Sequence, residues 1–505
     1  MDEAQGTVDL LVVGGGINGT GIARDAAGRG LSVVLCEQDD LASWTSSASS
    51  KLIHGGLRYL EYYEFRLVRE ALEEREVLLA SAPHLIHPLR FVLPHHAGLR
   101  PGWMLRAGLF LYDHLGGRRT LPGARRVDLR TDPTGRPLQA QYRRGFEYSD
   151  TAVDDARLVA LLAVDAAERG ARILTRTRLV EARREAGVWR CVLETRDGRR
   201  ETVTARSLVN AAGPWVEGVL ALTGVPSHGR SVKLVKGTHI VVPRLYDGEQ
   251  AYTLQGGDGR VVFAIPYQDD FTLIGTTDVE YEGDPAKVAP SAEEIAYLCR
   301  TIADYFEKPP VPADVAWAYA GVRPLYDDGH ADASAVTRDY VLVLDDEDGD
   351  PPLLTVYGGK ITTFRRLAEH ALEKLQDPLG FDRGPWTEAA HVPGGDLPGD
   401  FERLRREAGR RYPWVPPSTL TRLCHAYGSR VDAVLAGAKA WADLGRDHGA
   451  GLTEREVAYL VEREWAREPA DVLWRRTKVG LHMTAAERAA FEASWKRVTL
   501  SGSPA

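Results

Sequence analysis

Residues 9–37, DLLVVGGGINGTGIARDAAGRGLSVVLCE, constrain the fold more tightly than any other stretch. An apolar strand over 10–13 runs directly into Gly14, Gly15, Gly16, Ile17, Asn18 and Gly19, which match the G-x-G-x-x-G spacing of a dinucleotide-binding turn. In that spacing the first glycine allows the tight turn, Gly16 lets backbone approach a pyrophosphate, and Gly19 lets the following helix pack on the strand. The helix N-terminus then offers unpaired N–H groups and a positive dipole end to the phosphates. Ala23 and Ala27 keep one helix face small, Gly30 ends the helix, and 32–36 reads as a second buried strand. Glu37 follows at its end, where a carboxylate accepts both ribose hydroxyls of an adenosine. An acidic residue there favours an unphosphorylated ribose, hence FAD or NAD and not NADP.

At 505 residues the chain has room for roughly two to four domains and a large core without staples. Its formal net charge of -8 argues against a nucleic-acid binder held by bulk charge. Cys36, Cys191, Cys299 and Cys424 are far apart with no C-x-x-C, so neither zinc nor a disulfide framework is indicated, no metal is expected, and a reducing cytoplasm is the simplest home. The acidic start MDEAQGTVDL lacks the basic and apolar regions of a signal peptide. No apolar run approaches the ~18 residues of a spanning helix, so any membrane contact is expected to be peripheral or monotopic.

After Glu37 comes a Ser-rich stretch, TSSASSKLIHGGLRYLEYYEFRL over 45–67, a loop suited to lie against a flat ligand. Helices are predicted over 64–79 and 153–169, a strand pair over 85–96, and a β-meander from 171–175, 179–182, 188–194 and 199–205. A further apolar strand begins at 207 and ends in Ala-Ala-Gly213-Pro, a sequence suited to close approach by a ligand or another backbone. From 232 to 344 mostly antiparallel strands dominate, with one helix at 291–306. Residues 353–372 repeat the opening logic of strand, Gly358-Gly359 and helix, and beyond the Pro/Gly-rich 391–400 the chain turns helical. The domains that follow are a discontinuous nucleotide-binding unit (1–90, 145–230 and 340–390), a β-rich substrate unit (91–144 and 231–339) and a C-terminal helical unit (391–505).

A single fingerprint at the N-terminus, a β-rich middle and a late Gly-Gly return favour FAD over NAD, because an isoalloxazine needs contacts from several distant segments. Arg58, Arg323, Arg338 and Lys360 adjoin strand ends or glycines, and Arg forks beside a Lys point charge suit a phosphate or a carboxylate. His54 and His239 are the candidate bases, since imidazole titrates near neutral pH.

The segments SSASSKLIHGGLRYLEYYEFRLVREALEEREVLL, RGFEYSD, VDDARLV, LVNAAGPW, KGTHIVVP, IGTTDVEY, GVRPLYDD, TRDY, YGGKITT, RRYP and LWRRTK closely resemble the FAD-dependent, quinone-reducing glycerol-3-phosphate dehydrogenases of bacteria, from about residue 8 to about residue 480. The resemblance implies an α/β + α architecture: a Rossmann-like FAD domain of the glutathione-reductase-like type, an antiparallel substrate sheet and a C-terminal all-helical domain. It implies oxidation of sn-glycerol 3-phosphate to dihydroxyacetone phosphate, with electrons passed to a membrane quinone. Substrate contacts would fall on Arg58, Arg323, Arg338 and Lys360, with His239 and Thr277 nearby. FAD contacts would fall on residues 14–19, Glu37, Ser49, Ser50, Gly358 and Gly359. The partners implied are the substrate, the quinone and an anionic lipid surface at the inner face of the cytoplasmic membrane, without nucleic acid; a homodimer is left open. A glycerophosphate oxidase using dioxygen, an amine or amino-acid oxidase, and a non-catalytic flavin-binding or tRNA-modifying protein remain the alternatives.

Two stretches are candidate membrane faces. Residues 101–115, PGWMLRAGLFLYDHL, are followed by Arg118, Arg119, Arg125 and Arg126, which suit anionic headgroups. The Trp474-Arg475-Arg476-Thr477-Lys478 cluster is the second.

Overall fold

The computed structural model describes residues 6–117, 120–327 and 339–501. Among these, two sheets of eight and ten strands carry the architecture. The first is centred on Val8–Val13, with Val33–Cys36 and then Arg172–Leu174 parallel to it on one side and Arg200–Asn210 and then Leu353–Tyr357 parallel on the other. Strands buried on both faces read as unbroken apolar runs, and Leu10, Leu11 and Val12 are fully buried. The helices Ile17–Gly28, Asp155–Glu168 and Phe364–Leu379 contribute Ile22, Ala26, Leu158, Leu162, Phe364 and Leu367 to one core. The meander covers the other face with Trp189, Cys191 and Val203.

The predicted last meander strand and the predicted strand from 207 are one element. Arg200–Asn210 pairs antiparallel with Val188–Thr195 in its first half and parallel with Val8–Val13 in its second, so one strand serves both layers. Residues 85–96 likewise form a single strand, Ile86–His95, and not a strand pair; its ladder partner is Arg144–Val153, far along the chain. Both strands lie in the second sheet. That sheet is antiparallel apart from the short pairing of Ala251 and Tyr252 with Phe91 and Val92. Its long strand Val232–Pro243 runs beside Trp317–Tyr326 over ten residue pairs, which brings His239 level with Tyr319.

The C-terminal helices, among them Phe401–Arg411, Pro417–Tyr427 and Glu454–Arg463, close over their own core of Leu423, Leu435, Leu460 and Phe491. The second candidate membrane face loses most of its charge here. Arg476 and Lys478 are each 1 % exposed and ion-paired to Asp40 and Asp154, so these two cations face inward, while Trp474, stacked on Trp317, and Arg475, paired to Asp40, are half-buried. Among the described residues no helix is long and apolar enough to cross a membrane.

Candidate active site

The dinucleotide turn is built as its glycines require. Gly14 has φ +115°, and a Cβ on it would overlap Ala211 O; a Cβ on Gly19 would overlap Gly14 O, which is the close helix–strand contact. Gly16 is different: a Cβ there meets only Ser46 Oγ, at 3.0 Å, so its face is open to the cavity. At the start of the helix Ile17 N donates to Ser46 Oγ at 3.0 Å. Glu37 accepts from Gly15 N at 2.7 Å and from Asp39 N at 2.8 Å, and burial pushes its carboxyl up to about 7.

Three distant segments converge on this turn. Gly213 (φ +55°) enters from the strand Arg200–Asn210, Ser46 from the Ser-rich loop, and Gly358 and Gly359 (φ +75° and +100°) from the strand Leu353–Tyr357. Asn18 Nδ2 donates to Gly358 O at 3.1 Å, while Asn18 Oδ1 is buried with no partner among the described residues. The site fits FAD: each Glu37 oxygen keeps a lone pair for a ribose hydroxyl, the helix N-terminus faces the cavity, and Asn18, with its unpartnered acceptor, is among the lining residues.

Next to it, a cavity of about 800 Å³ over the second sheet is lined by Ser50, His54, Arg58, Thr276, Asp278 and Arg323. His54 is half-buried and meets Phe263 edge-on, with ring centres 6.3 Å apart. Arg323, on the strand Trp317–Tyr326, donates to Thr277 O at 2.9 Å and pairs with Asp278 at 2.6 Å, so part of its fork is already engaged. Lys360 stands 4.2 Å above the Tyr59 ring, and Tyr59 lines the cavity.

His239 is 3 % exposed, with Nε2 2.9 Å from Ser50 Oγ and its ring stacked on Tyr319. Burial first, then the charges of Lys51 and Arg323, hold its imidazole well below the usual range. The Thr277 hydroxyl donates to Glu294 and accepts from Thr238 N, both at 2.9 Å, so the neighbouring Thr276 is the threonine on the cavity wall. Ser49 turns inward and donates to Asp155 at 2.8 Å. Arg338 lies outside the described residues. Thr276, Asp278, Lys51 and Asp155 carry no spacing signal of their own; a polar residue inside a strongly patterned segment was the only hint.

The chain matches two family models: FAD dependent oxidoreductase over residues 9–365, and the C-terminal domain of alpha-glycerophosphate oxidase over residues 386–496. It is 56 % identical to the glycerol-3-phosphate dehydrogenase of Pseudomonas aeruginosa over 95 % of this chain and 93 % of that protein. It is 55 % identical to the D-erythritol 1-phosphate dehydrogenase of Brucella abortus over 96 % of this chain and 97 % of that one. Among solved structures, the glycerol-3-phosphate dehydrogenase of Bacillus halodurans complexed with FAD superposes with a TM-score of 0.77 at 28 % identity, covering 99 % of this chain and 90 % of that one.

Proposed function

Since the chain belongs to the family of FAD-dependent glycerol-3-phosphate dehydrogenases, we propose that it oxidises sn-glycerol 3-phosphate to dihydroxyacetone phosphate and hands the electrons to a quinone at a membrane surface. The observation that carries the reading is the cavity beside the dinucleotide turn, in which three guanidinium groups, those of Arg58, Arg100 and Arg323, and the His54 imidazole share one chamber, with Arg100 already paired to Glu61. Arg58 and Arg323, with Lys360 at the rim, supply the charge a phosphate dianion needs. Gly14, Gly16, Asn18, Glu37, Gly358 and Gly359 would hold FAD, which would supply the hydride acceptor for C2. His54 takes the C2 hydroxyl proton, and Arg323 holds the phosphate end so that C2 is presented in a fixed orientation. The deciding experiment is anaerobic mixing of the yellow enzyme with sn-glycerol 3-phosphate and with amino acids: the flavin should bleach with the first only.

Removing one charge-assisted phosphate contact costs about 1.5–3 kcal/mol, roughly ten- to hundredfold in substrate binding. Lys360→Ala is expected to fall at the lower end, because its ammonium sits over an aromatic ring at the cavity edge. Arg323→Ala should fall at the upper end, because it also leaves the Asp278 carboxylate facing an anionic substrate. Both variants should keep FAD. Wild-type kinetics in both would remove the phosphate assignment.

A second reading has specific support. The D-erythritol 1-phosphate dehydrogenase is almost as similar as the glycerol-3-phosphate enzyme, and 800 Å³ is ample for a four-carbon polyol phosphate. The ratio of kcat/KM for the two substrates decides between them.

The acceptor side is supported by the helix Gly102–Leu115. Trp103 is 67 % exposed and Phe110 61 %, with Met104 and Leu111 also outward. Met104, Leu105 and Leu111 at the same time line the cavity that holds His54 and Arg323, so an apolar wall runs from that chamber to the exposed helix face. Arg106 and Arg126 are exposed nearby; Arg118 and Arg119 lie outside the described residues. A soluble monomer gains nothing from exposing large apolar side chains together, whereas a helix lying in a lipid interface does. Vesicle flotation should show binding that requires anionic lipid, weakens with salt, and drops when Trp103 and Phe110 become Ser. Leu109 and Tyr112 are the buried side of this helix, at 4 % and 2 % exposure, so Leu109→Ser would report core damage and not lipid contact. No affinity for anionic vesicles would end the membrane reading.

A further inference from the structure

The Ser-rich loop beside the dinucleotide turn is held from beneath by buried charges that begin in the C-terminal helical region. Lys478, 1 % exposed and at φ +59°, pairs with Asp154. Asp154 caps the helix Asp155–Glu168 by accepting from Arg157 N at 3.2 Å. Its neighbour Asp155 accepts from Lys51 Nζ at 2.9 and 3.0 Å and from Ser49 Oγ at 2.8 Å. Lys51, 3 % exposed, also donates to Ser47 O at 2.9 Å and lies 5.0 Å from the centre of the Tyr319 ring. The Tyr319 hydroxyl in turn donates to Ser49 O at 2.9 Å.

The loop is thus tied on three sides, and its next residue, Ser50, meets His239. A parallel tie runs from the same C-terminal turn, where Arg475 and Arg476 bind Asp40 at 2.7–2.8 Å, three residues beyond Glu37. Taking Lys51, Lys478 and Asp155 out of water, with Asp154 still a quarter exposed, is costly even when they are paired, and apolar packing would join two bodies at less cost. What charge pairs add is register: each N–H···O fixes a direction as well as a distance.

We propose that Lys51 and Lys478 are positioning residues for flavin reduction, the C-terminal region acting through the Lys478–Asp154 and Asp155–Lys51 pairs to set the 47–50 turn against the cofactor and against His239. This rests on the flavoprotein reading above. The groups facing His239 are Ser50 and Lys51 from the loop, Tyr319 and Arg323 from the strand beside it, and Asp155 and Asp278 as the partners of those two cations. Lys51 is one of the charges that keep the imidazole neutral. Its loss therefore raises the pH below which His239 is protonated.

The test compares Lys51→Met, Lys51→Arg, Lys478→Met and the double variant Lys478→Met/Asp154→Asn as full-length FAD proteins. Asn caps a helix nearly as well as Asp, so the double variant removes a buried charge pair without removing the cap. Two readouts need no substrate: the FAD dissociation constant from flavin fluorescence, and the pH dependence of the bound flavin's midpoint potential from dye equilibration. Lys51→Met should weaken FAD by about tenfold or more and move the pH dependence upward. Lys478→Met should move both the same way by a smaller amount, and Lys51→Arg should recover most of the loss. The double variant should regain thermal stability while its FAD affinity and pH dependence stay altered. Lowered Tm with wild-type FAD affinity and wild-type pH dependence, in whichever of these variants fold, would overturn the proposal and leave the pairs a purely structural role. Failure of the unaltered protein to bind FAD would instead overturn the flavoprotein reading itself.

Discussion

Gly16→Leu is expected to give a folded protein that cannot be loaded with FAD, with affinity lower by at least a thousandfold, about 4 kcal/mol. The backbone tolerates the change, because Gly16 has φ −82° and ψ −174°, ordinary extended values, and its Cβ would meet only Ser46 Oγ. The leucine side chain, however, would fill the space in front of the Ile17–Gly28 helix, where the pyrophosphate must reach the N–H groups. Gly14→Ala and Gly19→Ala are poorer tests. They overlap backbone oxygens of Ala211 and Gly14, so their failure would report a broken fold. Flavin absorbance after reconstitution and a thermal melt of the apoprotein together decide the matter: a yellow Gly16→Leu protein with unchanged affinity would mean that the dinucleotide does not cross this turn.

His54→Asn should slow substrate-driven flavin reduction by about two to four decades while FAD stays bound. The imidazole lines the cavity, half-buried between the Ser-rich loop and Phe263, while the His54 backbone N–H is held separately by Thr362 Oγ1 at 3.4 Å. Asparagine keeps a polar group of similar reach but cannot take up a proton. Anaerobic stopped-flow bleaching isolates this step from quinone reduction, and substrate affinity should change little because the phosphate contacts are elsewhere. An unaffected rate would move the proton to His239. That residue is less suited to accept it, since Ser50 Oγ engages its Nε2, and burial with Lys51 and Arg323 nearby pushes it away from the charged form.

The ends of this arrangement were legible because local chemistry dictates them. Gly14 and Gly19 each meet a steric demand of the fold that no other residue satisfies, Gly16 leaves room for a pyrophosphate, Glu37 ends the second strand, and Gly358 and Gly359 adopt positive φ where a strand must turn toward a helix. What stayed hidden depends on pairs that only folding creates. Arg144–Val153 joins the second sheet through its ladder to Ile86–His95, and no period in either segment encodes the partner. In 101–115 composition shows an apolar helix, but which face is wet follows from what packs on it: Leu109 goes in and Phe110 stays out.

Thr276 and Thr277 look interchangeable in the sequence until Glu294 claims one hydroxyl. The Trp474–Lys478 cluster has the composition of a headgroup-binding patch, yet Asp40 and Asp154, more than 300 residues upstream, draw Arg476 and Lys478 inward. Short-range sterics and periodicity along the chain were therefore enough to establish the cofactor turn and most of the strands and helices, while the family rested on the resemblance of whole motifs. Which cations line the cavity and which are spent on buried carboxylates emerged only in the folded molecule, because a charge is silent about its partner until the chain brings the two together.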